Sequence, residues 1–148
     1  DALAKLQTQI CMKPENGLSV VCACPGEELH EIGLRCVSYL FESEGWISHY
    51  LGARVPYTAI VGAVREMQPE VLCLSRTLLL EEECDIEQFT ELITSLSESG
   101  TQVIIGGRAL QEAANLFGKF ASTYSSSLEL LTFMKELQDE IQRSCKQE

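Results

Sequence analysis

The sequence has few basic residues, no long apolar run and no cysteine pair at C-x-x-C spacing, and these absences limit its function. There are 11 Lys and Arg side chains against 22 Asp and Glu, so the net charge is −11. Nucleic-acid binding needs clustered Lys and Arg to neutralise phosphates, so we expect no direct DNA or RNA contact by this segment. Apolar runs such as Leu78–Leu80 and Val103–Ile105 fall far short of the roughly 20 residues that span a membrane. We therefore expect no membrane association.

The cysteines indicate a reducing compartment. There are seven, an odd number, and Cys22 and Cys24 lie two residues apart in an apolar run. Disulfide frameworks of secreted domains use even numbers of cysteines, and no leader typical of export is present. We expect a cytoplasmic protein whose thiols pack as small apolar residues. Because the chain starts with Asp1 rather than Met, we also expect it to be a fragment of a longer protein.

Apolar runs of strand length alternate with segments of helical periodicity along the chain. The predicted strands are Leu18–Cys24, Trp46–Leu51, Val71–Ser75, Thr101–Ile105 and Phe120–Tyr124. The predicted helices are Leu34–Glu44, Tyr57–Met67, Asp85–Ser97, Leu110–Phe117 and a last one that begins with the capping box of Ser126 and Glu129. Residues 1–17, with Leu3, Leu6 and Ile10 at helical spacing, are predicted to be the stub of a preceding domain, and residues 18–148 the α/β domain.

This alternation predicts a flavodoxin-like (Rossmann-like) α/β fold, with a five-stranded parallel sheet in the order 2-1-3-4-5 and helices on both faces. Open parallel sheets bind ligands beyond the carboxyl ends of their strands. The segments expected there are Pro25–Gly33, Ser75–Leu80 and Gly106–Arg108. Polar residues and glycines therefore converge on one edge of an apolar sheet.

Two common functions of this fold do not suit these segments. A phosphate-binding turn needs Ser, Thr and Gly residues at a helix N-terminus, whereas Glu27, Glu28 and Glu31 place three carboxylates there. A response-regulator receiver needs acidic residues at the ends of strands one and three, where this chain has Cys24 and Ser75. Both interpretations are rejected.

Three ordered elements resemble the signature of cobalamin-binding domains. They are Glu28-Leu29-His30-Glu31-Ile32-Gly33, then Ser75-Arg76-Thr77, then Gly106-Gly107. The family pattern is Asp-x-His-x-x-Gly, a Ser-x-Leu or Ser-x-Thr element, and Gly-Gly after a further strand. The resemblance extends from about Leu18 to Leu137, and Glu28 departs from it because the family usually has Asp there.

The resemblance implies a role for each residue of the first element. His30 is implied as the lower axial ligand of cobalt, with a carboxylate on its other ring nitrogen that fixes the tautomer. Glu28 is expected to be that carboxylate, and Glu31 is the alternative. Gly33 is expected to let the start of its helix approach the corrin ring without a Cβ in the way.

The other two elements are implied to bind the nucleotide tail of the cofactor. Ser75 and Thr77 are expected to hydrogen bond to the tail. Gly106 and Gly107 are expected to let it pass close to the backbone. Cobalamin is thus the expected cofactor.

The residues around these elements are most similar to those of the sensory domains of cobalamin-dependent transcriptional regulators. We therefore expect a ligand-binding module rather than an enzyme, which signals through homo-oligomerisation or an upstream effector domain. One alternative is a corrinoid protein that carries a methyl group in a methyltransferase system. Another is a related sensor domain that binds haem, with His30 as the iron ligand.

Overall fold

A computed structural model describes residues 12–77, 83–108, 121–124 and 126–146. Five strands and four helices lie in these ranges. In chain order they are β1 Ser19–Pro25, α1 Ile32–Ser43, β2 Ile47–Val55, α2 Tyr57–Met67, β3 Val71–Ser75, α3 Glu83–Ser97, β4 Gln102–Gly106, β5 Ala121–Thr123 and α4 Ser127–Cys145.

The strands form one parallel sheet in the order β2-β1-β3-β4-β5. In the register, Cys22 of β1 lies beside Cys73 of β3, and Ser75 at the end of β3 lies beside Gly106 at the end of β4. The carboxyl ends of the central strands therefore meet at one edge. This confirms the predicted fold class and strand order.

Helices cover both faces of the sheet, because alternate residues of each strand point to opposite sides. On β3, Leu72 and Leu74 face an apolar cluster that α2 and α3 cover. Val71 and Cys73 face a second cluster, which α1 and α4 cover. We call these the α2/α3 face and the α1/α4 face.

The cysteine prediction is correct only in part. Cys22, Cys24 and Cys73 are buried on the α1/α4 face, as expected of small apolar residues. Cys36 and Cys145 are exposed, so the packing prediction is wrong for these two thiols. Both lie on helices, where the sequence periodicity does not by itself distinguish a rim position from a core position.

Strand β2 is longer than predicted, because Gly52 does not end it. The strand continues to Val55 through two shifts in its register with β1. Gly52 has φ +95° and Arg54 has φ +53°. These left-handed residues interrupt the regular pairing with β1 without ending the strand. The backbone N–H of Arg54 then donates to the carbonyl of Glu28 at 2.9 Å. The end of β2 thereby holds the loop that follows β1.

Two predicted elements cannot be compared with the structure. The helical stub with Leu3, Leu6 and Ile10, and the helix Leu110–Phe117, lie outside the described residues.

Residues 12–17 run beside the end of α1, where the N–H of Asn16 donates to the carbonyl of Gly45 at 2.9 Å. None of the helices in the described ranges combines the length and apolar character needed to cross a membrane.

Candidate functional site

The candidate site lies at the carboxyl edge of the sheet, where the loop after β1 meets the end of β3. Its centre is Glu28, whose side chain is fully buried. Oε1 of Glu28 accepts a hydrogen bond from the backbone N–H of His30 at 2.7 Å, and the Nδ1 of His30 lies 2.7 Å from the same oxygen. Oε2 accepts from the backbone N–H of Thr77 and, at 2.9 Å, from its hydroxyl. One carboxylate thus joins the two loops.

This arrangement determines the tautomer of His30. With a carboxylate 2.7 Å from Nδ1, that nitrogen carries the proton and donates a hydrogen bond to Glu28. The lone pair is then left on Nε2. The imidazole side chain remains 68% exposed although its other nitrogen is fixed. An oriented, neutral imidazole with a free nitrogen is a good ligand for a transition metal, and the carboxylate on its other nitrogen fixes its orientation.

Glu31, the alternative partner of His30, has other contacts. Its Oε2 accepts from the hydroxyl of Tyr50 at 3.0 Å, and its Oε1 lies 3.4 Å from Nη2 of Arg35. The structure therefore brings Glu28, His30 and Thr77 together, and it turns Glu31 towards β2.

Cys24, at the end of β1, remains a thiol. Burial raises its pKa to about 12, and the nearby carboxylate of Glu28 adds to the rise. Its Sγ lies 3.9 Å from the backbone carbonyl of His30, to which it donates. A thiol with such a pKa is a poor metal ligand at neutral pH, so His30 is the better donor here.

The three glycines named in the sequence have different surroundings. A Cβ at Gly33 or Gly106 would meet nothing within 4 Å, so both positions leave space for a ligand. Gly107 has φ +94°, and a Cβ there would lie 2.2 Å from the carbonyl oxygen of Arg76. The turn after β4 crosses closely over β3 at this point, which requires glycine whether or not a ligand binds.

A cavity of about 290 Å³ opens beside this edge, between α1 and α4 on the α1/α4 face. The residues that line it are Cys36, Val37, Leu40, Cys73, Ile104, Ile105, Gly106, Tyr124, Ser126, Ser127 and Leu130. Gly106 and the two serines lie at the carboxyl edge, where β4 ends and α4 begins, and we call this part of the lining the mouth. Leu40, Cys73 and Leu130 lie further from that edge along their own elements, and we call this apolar part of the lining the floor. The cavity thus suits a ligand that is polar at one end and apolar at the other.

Sequence reasoning missed this cavity and located only Gly106 among its residues. Ser75 follows Cys73 by two residues, so its side chain leaves β3 on the face of the cavity. Thr77 lies beyond the strand and contacts Glu28 and His30 instead. The sequence carries no clear signal for the cavity, because Val37 and Leu40 have the helical spacing of core positions and only the structure shows that they are half-buried.

These features suit a cobalt–corrin cofactor. A single oriented imidazole matches a metal that arrives with its remaining ligands already in place. Gly33 lies in the first turn of the helix that follows His30, and a Cβ there would meet nothing within 4 Å, so the backbone beside the histidine is open to a ligand. The adjacent cavity, hydroxyl-lined at its mouth and apolar at its floor, could take an amphipathic tail. The fold and the site therefore define a ligand-binding domain of the flavodoxin-like class.

The chain belongs to the B12-binding domain family, which matches residues 18–119. Cobalamin is accordingly its cofactor. The chain is 26% identical over 117 residues to the HTH-type transcriptional repressor CarA of Myxococcus xanthus. That alignment covers 78% of this chain and 39% of CarA, so the chain spans about two fifths of that relative.

Solved structures of similar fold include three corrinoid or cobalamin proteins. A cobalamin-binding protein from Desulfitobacterium hafniense DCB-2 gives a TM-score of 0.68 at 24% identity, over 82% of this chain and 60% of that one. The monomethylamine corrinoid protein of Methanosarcina barkeri gives 0.65 at 18%, over 92% and 65%. The methanol:cobalamin methyltransferase complex MtaBC of the same organism gives 0.70 at 20%, over 93% and 52%. At these identities the likeness shows a shared fold.

Proposed function

We propose that this domain binds cobalamin with Nε2 of His30 as the lower axial ligand of cobalt, and that it serves as the sensory domain of a transcriptional regulator. The observation that carries the proposal is the contact of Glu28 with both His30 and Thr77. It leaves one imidazole nitrogen free, oriented and exposed at the edge of the sheet.

Each residue of this arrangement has a distinct part in the proposal. His30 would donate the lone pair of Nε2 to the cobalt, while Glu28 would hold the proton on Nδ1 and stabilise the positive charge that ligation places on the ring. Thr77 fixes Glu28 through its backbone N–H and its hydroxyl. When bound, cobalamin supplies a cobalt ion whose upper ligand can be exchanged. The chain would supply the lower ligand through His30, and Glu28 and Thr77 would hold that ligand in place.

The cavity between α1 and α4 is the proposed site of the nucleotide tail. Its apolar floor would cover the base, and the hydroxyls of Ser126 and Ser127 at the mouth would face the polar part of the tail. Gly106 lines the cavity and Ser75 lies beside it in the register of β3 and β4, which supports tail contact for both. Any tail contact of Gly107 is proposed through its backbone, because the space of its missing Cβ is taken by the backbone of Arg76.

The regulatory role rests on the similarity to CarA and on the charge of the segment. The net charge of −11 suits a domain that binds a ligand and leaves DNA contact to another part of a longer protein. We propose a cytoplasmic regulator that signals through homo-oligomerisation when cobalamin binds or loses its upper ligand. The second candidate is a corrinoid methyl carrier, which the shared fold with the Methanosarcina barkeri proteins favours.

The central test is an absorption spectrum of the purified protein with adenosyl- and methylcobalamin. We expect a bound cobalamin whose spectrum reports a histidine in the lower position, and we expect His30→Ala to alter that spectrum and weaken binding. A His30→Ala protein with the wild-type spectrum and affinity would refute the ligation. A haem spectrum in protein purified from its source would favour the haem alternative.

A second measurement separates the two functions. A regulator should change its oligomeric state when adenosylcobalamin is added or photolysed, as light scattering after size exclusion would show. A methyl carrier should keep one oligomeric state and transfer the methyl group of methylcobalamin to a partner protein's substrate.

A further inference from the structure

The loop that carries His30 is held at a second point, on the side opposite Glu28. Glu28 ties the loop to β3 through Thr77, but the residue after His30 needs its own support. Glu31 is the N-cap residue of α1, and its carboxylate makes no capping hydrogen bond. Both carboxylate oxygens of Glu31 are used by other groups.

The carboxylate of Glu31 contacts two side chains instead. The hydroxyl of Tyr50 on β2 donates to Oε2 at 3.0 Å, and Arg35 lies 3.4 Å from Oε1, one turn along α1. The guanidinium of Arg35 also lies over the ring of Tyr50, 4.9 Å from its centroid. Burial, followed by the hydrogen bond to Glu31, raises the pKa of Tyr50, so its hydroxyl remains a donor at neutral pH. Glu31, Arg35 and Tyr50 therefore contact one another and join the start of α1 to β2.

We propose that Tyr50 and Glu31 are positioning residues, which fix the start of α1 to β2 and so hold His30 ready for the cobalt before cobalamin binds. This inference rests on the proposed ligation by His30. His30 then lies between two anchored carboxylates, one tied to β3 by Thr77 and the other tied to β2 by Tyr50. Since β2 and β3 flank β1 in the sheet, the loop is held from both sides.

The chain offers a matched control for Tyr50. Ser48 lies two residues earlier on the same face of β2, and its hydroxyl lies 2.7 Å from that of Ser38 on α1. Tyr50→Phe and Ser48→Ala each remove one hydroxyl that joins α1 to β2. Only the first of them touches the segment next to His30. A purely structural role would affect both variants alike.

The experiment compares wild type, Tyr50→Phe, Ser48→Ala and His30→Ala by titration with methylcobalamin, by absorption spectrum and by hydrogen exchange of the cofactor-free protein. We expect Tyr50→Phe to raise the Kd by about 5-fold to 10-fold, as the loss of one hydrogen bond predicts. Its spectrum should show a reduced fraction of histidine-ligated cobalt. Amides of residues 28–34 should exchange faster in Tyr50→Phe and at the wild-type rate in Ser48→Ala.

Glu31→Gln provides a conservative variant, because its amide oxygen can still accept from Tyr50, whereas Glu31→Ala cannot accept at all. We expect the first to bind within about 3-fold of wild type and the second to resemble Tyr50→Phe. The inference is overturned if Tyr50→Phe keeps the wild-type Kd and spectrum, or if Ser48→Ala changes them equally. A failure of the proposed ligation looks different, because His30→Ala would then keep the wild-type spectrum.

Discussion

Replacing Glu28 by Asp tests whether this chain needs the longer carboxylate, since cobalamin-binding domains usually have Asp at this position. In the structure each oxygen of Glu28 serves one loop. Oε1 accepts the backbone N–H of His30 and contacts its Nδ1, both at 2.7 Å. Oε2 accepts the backbone N–H and the hydroxyl of Thr77. The Glu28→Asp side chain is shorter by one carbon–carbon bond, about 1.5 Å.

A carboxylate drawn back by that distance can reach one loop but not both. Hydrogen bonds to a charged group contribute about 1.5–3 kcal/mol each. Relaxation of the loop recovers part of this, so we expect a loss of about 2 kcal/mol in the free energy of unfolding. If the contacts of the carboxylate with His30 are the ones lost, the Kd for cobalamin rises by about 30-fold, the equivalent of 2 kcal/mol.

The assays are urea unfolding of the cofactor-free protein and a cobalamin titration followed by its absorption spectrum. Glu27→Asp is the control, because Glu27 is 78% exposed and pairs with Arg54 at the surface. We expect that control to remain within about 0.5 kcal/mol of wild type. The reasoning is refuted if Glu28→Asp unfolds like Glu27→Asp and binds cobalamin with the wild-type affinity and spectrum.

Three further predictions concern the glycines and the thiols. Gly33→Ala should raise the free energy of unfolding by up to about 1 kcal/mol, because a methyl group there meets nothing within 4 Å, and should weaken cobalamin binding. Gly62→Ala, equally open on α2, is its control for stability, and equal cobalamin affinity in both variants would contradict a corrin contact at Gly33. Gly107→Ala should lower the free energy of unfolding by about 3 kcal/mol, because its φ is left-handed and its Cβ would meet the carbonyl of Arg76; a normal urea midpoint would show that the turn can move. At pH 7, maleimide should label the exposed Cys36 and Cys145 and spare the buried Cys24. Cobalamin should protect Cys36, which lines the cavity, but not Cys145. Mass spectrometry of the labelled peptides checks both expectations.

The central part of the fold could be predicted because local pattern and tertiary structure agree there. Val71–Ser75 and Tyr57–Met67 have the predicted bounds, since a short apolar run between polar residues and a proline before a helix each mark an end clearly. The end of β2 could not be predicted in this way. Gly52 indicates a turn in the sequence, but in the sheet its left-handed backbone is absorbed by an irregular register with β1.

The candidate site was predictable in its composition but not in its contacts. The motif indicated Glu28 and His30, which are close in sequence. The bond between Glu28 and Thr77 depends on β1 and β3 lying side by side, and the choice of Glu28 over Glu31 depends on Tyr50 from β2. The cavity depends on side-chain volumes from α1, β3, β4 and α4 together. The shape of a cavity that distant segments form together cannot be derived from a local sequence pattern.

The cavity between α1 and α4 also bears on the stability of the domain. Cys73, Ile104 and Leu130 belong to the apolar cluster of the α1/α4 face and at the same time line the cavity. An apolar group bound there would add dispersion contacts to side chains that already form part of the hydrophobic core. A ligand that binds the folded domain and not the unfolded chain raises the free energy of unfolding. We therefore expect cobalamin to stabilise the fold of this domain in addition to occupying its site.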